Sequence, residues 1–160
     1  FTESFRHLSY MPKPEKKPFL LNELLRKLEI LLETDFRENQ ITFSVQCHPL
    51  SIEINGDENQ LSQVFLNLLK NAMQALEGRT DGVISLRVSQ TEHILIEIAD
   101  NGIGIPEELQ EKVFIPFFTT KSEGTGIGLS LCKQIIRQHQ GHLSMGISQP
   151  GKTIFIIELP

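Results

Sequence analysis

The 160-residue sequence has no tryptophan, one tyrosine, two cysteines and no long basic run. Cys47 and Cys132 are too few to form a metal site by themselves, and nothing requires a disulfide between them, so a reducing, cytoplasmic compartment is predicted. No apolar run approaches the ~20 residues of a membrane-spanning helix. The net charge of −5 argues against nucleic acid as the main partner.

What is present is typical of a globular protein, with 39% hydrophobic and 22% charged residues and a length that suits one domain plus an appendage. The prolines of residues 11–18 exclude a regular helix and favour an extended connector. We therefore place a domain boundary there: residues 1–18 are the end of a helix with its linker, and residues 19–160 are the main domain. Because the chain begins with Phe1 and not Met, we expect a fragment, and a membrane segment upstream stays open.

Hydrophobic periodicity predicts an α+β domain in which one mixed sheet is covered on one face by three helices. The three helices are predicted at residues 22–38, 57–78 and 127–140, with a short fourth helix at 106–112. The strands are predicted at residues 41–46, 51–54, 83–89, 94–100, 142–148 and 153–159. Four local predictions go with these elements: an N-cap at Asn22, a buried Leu31, a turn at Asn55-Gly56, and a capping box of Asp57 with Gln60.

The stretch from Asp100 to Pro106 delivers a carboxylate from a buried strand into a turn with two glycines. An ionised carboxylate only accepts hydrogen bonds, so Asp100 suits an exocyclic amine such as that of adenine. Gly102 and Gly104 have no Cβ, which allows a flat ligand to lie against the backbone. The alternative is a simple strand–turn–helix joint, and this stretch alone does not decide between the two.

Two amides share one face of the long helix, because Asn67 and Asn71 are four residues apart, whereas Lys70 points differently. An amide oxygen is a neutral, hard ligand that suits Mg²⁺, an ion that binds largely through substrate phosphates and water. The alternative is a solvated polar face. Asparagine is mildly disfavoured inside helices, so two on one face favour a function slightly.

Glycines alternate in the stretch from Gly124 to Leu129, immediately before a helix. Free backbone N–H groups and the helix N-terminus together suit phosphate groups. Leu129 stands where the dinucleotide-binding fingerprint requires a third glycine, so that fingerprint is excluded. The alternative is a flexible hinge into the helix.

Three phenylalanines, Phe114, Phe117 and Phe118, lie in a stretch without period that Pro116 interrupts. This pattern is typical of a lid that closes apolar surface over a ligand. Lys121, at the end of the stretch, is placed to reach a terminal phosphate. The alternative is a loop that tucks its aromatic side chains into the core.

Residues 146–153 match the P-loop pattern G-x-x-x-x-G-K-T letter for letter. A P-loop must lead into a helix, whereas residues 154–159 alternate like a strand and the chain then stops. We therefore predict a hairpin turn at residues 149–152.

Taken together, Asn71, the box from Asp100 to Gly104, the phenylalanine stretch and the box from Gly124 to Leu129 have the order and spacing found in sensor histidine kinases. The sequence resembles the ATP-binding domain of that family over residues 19–160. The resemblance implies the Bergerat (GHKL) fold, a two-layer α/β sandwich shared with gyrase and heat-shock chaperone ATPases. It also implies ATP and Mg²⁺ as cofactors.

The same resemblance implies partners and site residues. Residues 1–18 resemble the end of the dimerisation hairpin of nitrogen-regulation-type kinases, so a homodimer is implied, with a phosphoacceptor domain and a response regulator as partners. The implied adenine pocket contains Asp100, Gly102, Gly104 and Thr153, whose hydroxyl supports the aspartate through water. The implied phosphate and metal residues are Asn71 as Mg²⁺ ligand, with Asn67 and Lys70 near the phosphates; Lys121 joins them only by its place at the end of the phenylalanine stretch. The implied lid and phosphate loop contain Phe114, Phe117, Phe118, Gly124, Thr125, Gly126, Gly128 and Leu129.

One position separates activities within this superfamily. Gyrase-like ATPases place a glutamate four residues before the metal-binding asparagine, but Asn67 is an amide and cannot act as a general base. Phosphoryl transfer to a histidine with poor hydrolysis is therefore implied. His7 lacks the acidic neighbour of the family's phosphoacceptor, so we expect the chain to bind Mg-ATP without phosphorylating itself. An ATPase that hydrolyses ATP steadily, a serine kinase of the anti-sigma type and a non-catalytic interaction domain remain as alternatives.

Overall fold

The computed structural model describes residues 12–116, 118 and 128–160. In chain order the elements are β1 (Lys17–Leu20), α1 (Leu21–Glu38), β2 (Ile41–His48), β3 (Glu53–Gly56), α2 (Glu58–Ala75), β4 (Gly82–Gln90), β5 (Ile94–Asp100), α3 (Glu107–Gln110), α4 (Gly128–Gln138), β6 (His142–Gln149) and β7 (Lys152–Leu159). Every helix and strand predicted within residues 19–160 is confirmed in kind, and β1 is the one described element that the sequence did not predict. The helix end predicted before the proline-rich connector lies outside the described residues.

A five-stranded mixed sheet in the order β2–β4–β5–β7–β6 forms one layer of the domain. Strands β2 and β4 are parallel, and the other neighbours are antiparallel. Alternate residues such as Ile84, Ile96 and Ile98 are buried and share one core with the apolar faces of α1, α2 and α4. This confirms the α+β fold class. The β6–β7 pairing, closed by Gln149 and Lys152, confirms the hairpin turn and excludes a P-loop.

The structure differs from the predicted single sheet, because β1 and β3 form a separate antiparallel ribbon. The predicted turn at Asn55-Gly56 is wrong, since both residues lie in β3 opposite Pro18 and Lys17. A two-stranded ribbon tolerates proline because each strand pairs on one side only, so backbone N–H groups on the other side have no ladder hydrogen bond to lose. Gly56 is closely packed, since a Cβ there would lie 3.0 Å from the end of the Leu61 side chain, which would have to shift. The domain boundary after Pro18 stays a prediction, and β1 lies across it.

Helix α1 begins one residue earlier than predicted, and this changes its cap. The N-cap position is Leu20, which makes no side-chain cap bond, so the predicted Asn22 cap is wrong. Asn22 instead accepts a hydrogen bond from the backbone N–H of Ile52 (3.1 Å). Leu31, predicted to be buried, is 63% exposed because it lies on the side of Asp35, one turn further on, away from the sheet. None of the helices in the described part of the chain is long and apolar enough to cross a membrane.

The N-terminus of α2 carries half of the predicted capping box. Asp57 Oδ1 accepts a hydrogen bond from the backbone N–H of Gln60 at 3.0 Å, as predicted. The return bond is absent from this described cap: Gln60 Nε2 donates to the Pro12 carbonyl, and the Asp57 N–H donates to His139 Nε2 (3.0 Å). Burial raises the pKa of the Asp57 carboxyl, but hydrogen bonds from the backbone N–H groups of Gln60 and Glu15 outweigh burial and hold the pKa below its ordinary value.

Candidate functional site

Two buried polar side chains lie next to each other on the helix-covered face of the sheet. Asp100 ends β5, Thr153 lies near the start of β7, and the two are direct partners in the antiparallel register. Their exposed fractions are 7% and 3%. Because the neighbouring positions on this face, such as Ile98 and Phe155, are apolar, the pair is a polar end to an otherwise apolar surface. The pair therefore places hydrogen-bonding groups at the edge of an otherwise apolar core.

The loop after Asp100 is held on both sides. The Gly102 N–H donates to Asp100 Oδ1 (2.9 Å), and the Gly102 carbonyl accepts from the Gly151 N–H (2.8 Å) in the β6–β7 turn. On the other side, the Ile103 N–H reaches the Ala75 carbonyl at the end of α2 (3.4 Å). The carboxylate is therefore oriented by its own loop, and that loop is fixed between a helix and a hairpin.

Both glycines of this loop are required by the protein's own packing. A Cβ on Gly102 would lie 2.5 Å from the Ala75 carbonyl oxygen. Gly104 has φ of +78°, and a Cβ there would lie 2.6 Å from the Gln149 carbonyl oxygen. The two glycines were predicted to allow close approach of a ligand; in the structure, backbone of the same chain makes the close approach. Their part in shaping a pocket stays a prediction, and it acts through the position of the loop.

Asn101 is a structural residue of the site that the sequence argument did not assign. Its Oδ1 accepts from the Val83 N–H (2.7 Å), and its Nδ2 donates to the Asp81 carbonyl (3.0 Å). Arg79 Nη1 donates to the Asn101 carbonyl at 2.7 Å. These bonds fasten the end of β5 to the start of β4 beside Asp100. The signal in the sequence was an asparagine directly after the aspartate.

Helix α2 leads its amide pair towards this loop. Asn67 and Asn71 are half-buried, Lys70 is exposed, and Ala75, one turn after Asn71, contacts Gly102. Since residues four apart lie on one helical face, a single line of α2 carries both amides to the Asp100 loop. The end of α2 therefore lies beside the Asp100 loop, and the role of Asn71 at the site stays a prediction. Lys70 is more exposed than the two amides, which agrees with the prediction that it points differently from them.

Helix α4 lies against the same face of α2 and runs in the opposite direction. At one end, His139 accepts from the backbone of Asp57; near the middle, the thiol of Cys132 contacts both the Asn67 side chain and the Val64 carbonyl. One further turn along each helix places Asn71 opposite Gly128, the first residue of α4. Burial raises the pKa of Cys132 to about 12, so its thiol stays protonated and acts as a packing group.

The described part of the phenylalanine stretch is anchored to the core. The ring of Phe114 meets Phe155 edge-on, with centroids 6.2 Å apart, and Lys133 Nζ lies 4.6 Å from the Phe114 ring centroid. Phe118 is half-buried and its N–H donates to the Ile115 carbonyl (3.2 Å). Phe114 therefore packs against the core, as the alternative prediction had it, and it lies at the start of the stretch predicted to be a lid.

The remaining predicted residues divide into described and undescribed ones. A Cβ on Gly128 would have no neighbour within 4 Å among the described residues, and Leu129 packs half-buried against the core. The predicted site residues that lie outside the described part of the chain are Phe117, Lys121, Gly124, Thr125 and Gly126. No group of three His, Cys, Asp or Glu side chains within residues 12–116, 118 and 128–160 is placed to hold a metal ion.

The model of the histidine kinase-, DNA gyrase B-, and HSP90-like ATPase family matches residues 56–160. Sporulation kinase C of Bacillus subtilis (strain 168) is 36% identical over 159 residues, which cover 96% of this chain and 36% of that protein. The sensory histidine kinase/phosphatase NtrB of Rhodobacter capsulatus is 35% identical, with 92% of this chain and 44% of that protein covered. The chain thus spans less than half the length of these relatives.

Solved structures of similar shape also come from histidine kinases. The nucleotide-free catalytic domain of the histidine kinase ThkA superposes with a TM-score of 0.83 at 36% identity, and the match covers 91% of this chain and 95% of that domain. ThkA has also been solved in complex with the response regulator protein TrrA, and that structure matches with a TM-score of 0.82 at 32% identity over 99% of this chain and 46% of the ThkA chain.

Proposed function

The chain belongs to the histidine kinase-, DNA gyrase B-, and HSP90-like ATPase family and is a catalytic domain of the histidine kinase type, and from this premise we propose that it binds ATP with Mg²⁺ and donates the γ-phosphoryl group to a histidine on a dimerisation domain. We further propose that a response regulator receives the group from that histidine, as the ThkA–TrrA complex suggests for a relative. The homodimer, a membrane anchor and a cytoplasmic site of action belong to the same proposal.

The observation that carries the nucleotide assignment is the buried Asp100–Thr153 pair. Asp100 presents an acceptor-only carboxylate that Gly102 already orients, and Thr153 adds a hydroxyl beside it. An adenine ring has the complementary edge, since its amine donates and its N1 accepts. In this proposal Gly102 and Gly104 act by holding the loop, through Ala75 and Gln149.

The phosphates are proposed to lie between the start of α4 and the amide face of α2. Gly128 and Leu129 offer backbone N–H groups at the helix N-terminus, and the undescribed Gly124, Thr125, Gly126 and Lys121 precede them in the chain. Asn71 faces this end of α4 and is the proposed Mg²⁺ ligand, with Asn67 and Lys70 nearby. Amide oxygens fit a cation that takes its other ligands from phosphate and water. Bound Mg²⁺ supplies neutralisation of phosphate charge.

Transfer and not hydrolysis is proposed because the described site offers no general base at Asn67. Its amide has no basic lone pair at neutral pH, and its side chain is engaged by the Cys132 thiol. A water molecule beside the terminal phosphate is therefore not activated from this position. The protein's part is to orient the nucleotide and leave the γ-phosphoryl group accessible to an incoming histidine, which is most of what phosphoryl transfer requires.

Nucleotide binding is tested by titrating the chain with a non-hydrolysable ATP analogue in a calorimeter, with and without Mg²⁺. We expect saturable binding that Mg²⁺ strengthens. Asn71→Ala should bind about tenfold more weakly in Mg²⁺ and lose most of the Mg²⁺ effect, because an amide ligand is removed. Gln74→Ala, at an exposed position of the same helix, is the matched control. No binding at millimolar analogue would refute the proposal, and a full Mg²⁺ effect in Asn71→Ala would refute the metal assignment.

Transfer is tested with γ-labelled ATP. The chain alone should release phosphate slowly and retain no label after denaturation. A longer form that contains the dimerisation helices should become labelled with a phosphate that acid removes and alkali does not, as expected for phosphohistidine. Steady ATP hydrolysis by the chain alone would instead favour a conformational ATPase, and acid-stable label on a partner protein would favour a serine kinase.

A further inference from the structure

Strand β6 carries one extra residue beside the Asp100–Thr153 pair. Met145 pairs with Phe155 and Ser148 pairs with Thr153, so three steps along β6 correspond to two along β7. Simple alternation from Met145 would turn Ile147 towards the helices. In the structure Ile147 is 50% exposed, and the half-buried Ser148 takes the place beside Thr153. A bulge of this kind re-aims a side chain, and here it exchanges an isoleucine for a hydroxyl next to the buried pair.

The hydroxyl of Ser148 links Thr153 to the loop that follows Asp100. Ser148 Oγ lies 2.9 Å from Thr153 Oγ1, and it accepts the Ile105 N–H at 2.8 Å. Asp100, Thr153 and Ser148 therefore form a row across three adjacent strands, β5, β7 and β6. The hydrogen bond from the Ile105 N–H to Ser148 Oγ connects this row to the loop that follows Asp100.

Gln110 of α3 closes this connection from outside the sheet. Its Nε2 donates to the Ile105 carbonyl (2.8 Å) and to the Ser148 carbonyl (3.0 Å). The Gln110 amide thus binds one carbonyl of the loop and one carbonyl of β6, and the Ser148 hydroxyl binds the Ile105 N–H. These three hydrogen bonds hold the loop and β6 together. The Gln110 contacts use only backbone of Ser148, so they are separable from the hydroxyl by mutation.

The Ser148 hydroxyl can act as the hydrogen-bond donor to Thr153. A serine hydroxyl has one proton and two lone pairs, and the Ile105 N–H occupies one lone pair. When Ser148 donates its proton to Thr153 Oγ1, the proton of Thr153 must point away from Ser148 and is available to another acceptor. The row then presents one donor hydroxyl beside one acceptor carboxylate.

We propose that Ser148 is a positioning residue that orients the Thr153 hydroxyl as a donor and thereby makes the site select an adenine edge over a hypoxanthine edge. The inference rests on the proposed nucleotide site. Adenine offers an amine donor to Asp100 and the N1 acceptor to a hydroxyl donor, directly or through one water. Hypoxanthine offers the opposite pattern, an oxygen acceptor and an N1–H donor, which leaves the carboxylate facing an oxygen.

The test compares the dissociation constants of the complete chain for ATP and for inosine triphosphate, with Mg²⁺, in the native protein and in Ser148→Ala. We expect the native chain to favour ATP and Ser148→Ala to lose about fivefold of that preference, since Thr153 is then free to accept as well as donate. Ser144→Ala, at an exposed serine of the same strand, is the matched control. Gln110→Ala should weaken both nucleotides equally, because it loosens the loop without changing the hydroxyl.

Outcomes separate the inference from its premise. If the native chain binds neither nucleotide, the proposed function fails. If it favours ATP and Ser148→Ala keeps the native ratio, Ser148 does not orient Thr153 and the inference is wrong. If Ser148→Ala does not fold, Ser148→Cys replaces it, because a thiol keeps the volume and is a weak donor. Ser148→Cys should then show the reduced ratio, and a native ratio in that variant overturns the inference equally.

Discussion

Asp100→Asn should weaken binding of a non-hydrolysable ATP analogue by roughly 30- to 150-fold, the equivalent of about 2–3 kcal/mol for a hydrogen bond to a buried charged group. The replacement keeps the size of the side chain. Its amide oxygen can still accept the Gly102 N–H, and this bond then turns the new NH₂ group towards the adenine amine. Two donors would face each other in a place that is almost closed to water.

Calorimetry measures the affinity, and a thermal melt of Asp100→Asn shows that the fold is retained. Asp35→Asn makes the same chemical change at an exposed position of α1 and should bind as the native chain does. If Asp100→Asn folds and binds with native affinity, this carboxylate does not accept a hydrogen bond from the adenine amine.

Gly102→Ala should destabilise the domain by about 2–3 kcal/mol and lower Tm by roughly 5–10 °C, because the new methyl group has no space. It would lie 2.5 Å from the Ala75 carbonyl oxygen and 2.8 Å from the Ala75 Cβ. Backbone at the end of a helix cannot move aside as a flexible side chain does. The loop must therefore shift, and the hydrogen bond from the Gly102 N–H to Asp100 Oδ1 is lost. Nucleotide affinity should fall together with stability.

Gly128→Ala is the matched substitution for this measurement. It adds the same methyl group at the start of α4, where no atom of the described residues lies within 4 Å of the new Cβ. Alanine also has the higher helix propensity, so stability should rise by up to about 1 kcal/mol. Denaturant unfolding of both variants provides the comparison. Equal stability of Gly102→Ala and the native chain would show that the contact with Ala75 relaxes at no cost.

Local sequence patterns predicted most of the fold because most elements have a strong period. The alternation of β5 and β7 and the stripe of α4 follow directly from which side chains meet the core. The ribbon strand β1 was missed because Pro18 and the charged residues before it give no period, and only its pairing with β3 makes it a strand. The exposure of Leu31 was missed because leucine alone does not show where a stripe ends.

The candidate site divides in the same way. Asp100, Gly102 and Asn71 stand in motifs whose chemistry is legible along the chain, although their roles remain predictions. Ser148 and Gln110 were not found, because their importance depends on contacts 43 and 38 residues apart in sequence. The register shift in β6 was equally hidden, since the letters Leu143, Met145 and Ile147 read as plain alternation. Contacts made across strands decide such residues, and one sequence does not display them.

The extra residue in β6 has a consequence for how the protein behaves in a crowded solution. Strand β6 is the last strand on its side of the sheet, so one row of its backbone groups faces away from β7. A regular edge of this kind is a template on which a strand of another molecule can add, which is how aggregation begins. The irregularity between Met145 and Ser148 interrupts that template halfway along the strand. The residue insertion that turns a hydroxyl inward therefore also protects the edge against intermolecular β-sheet growth.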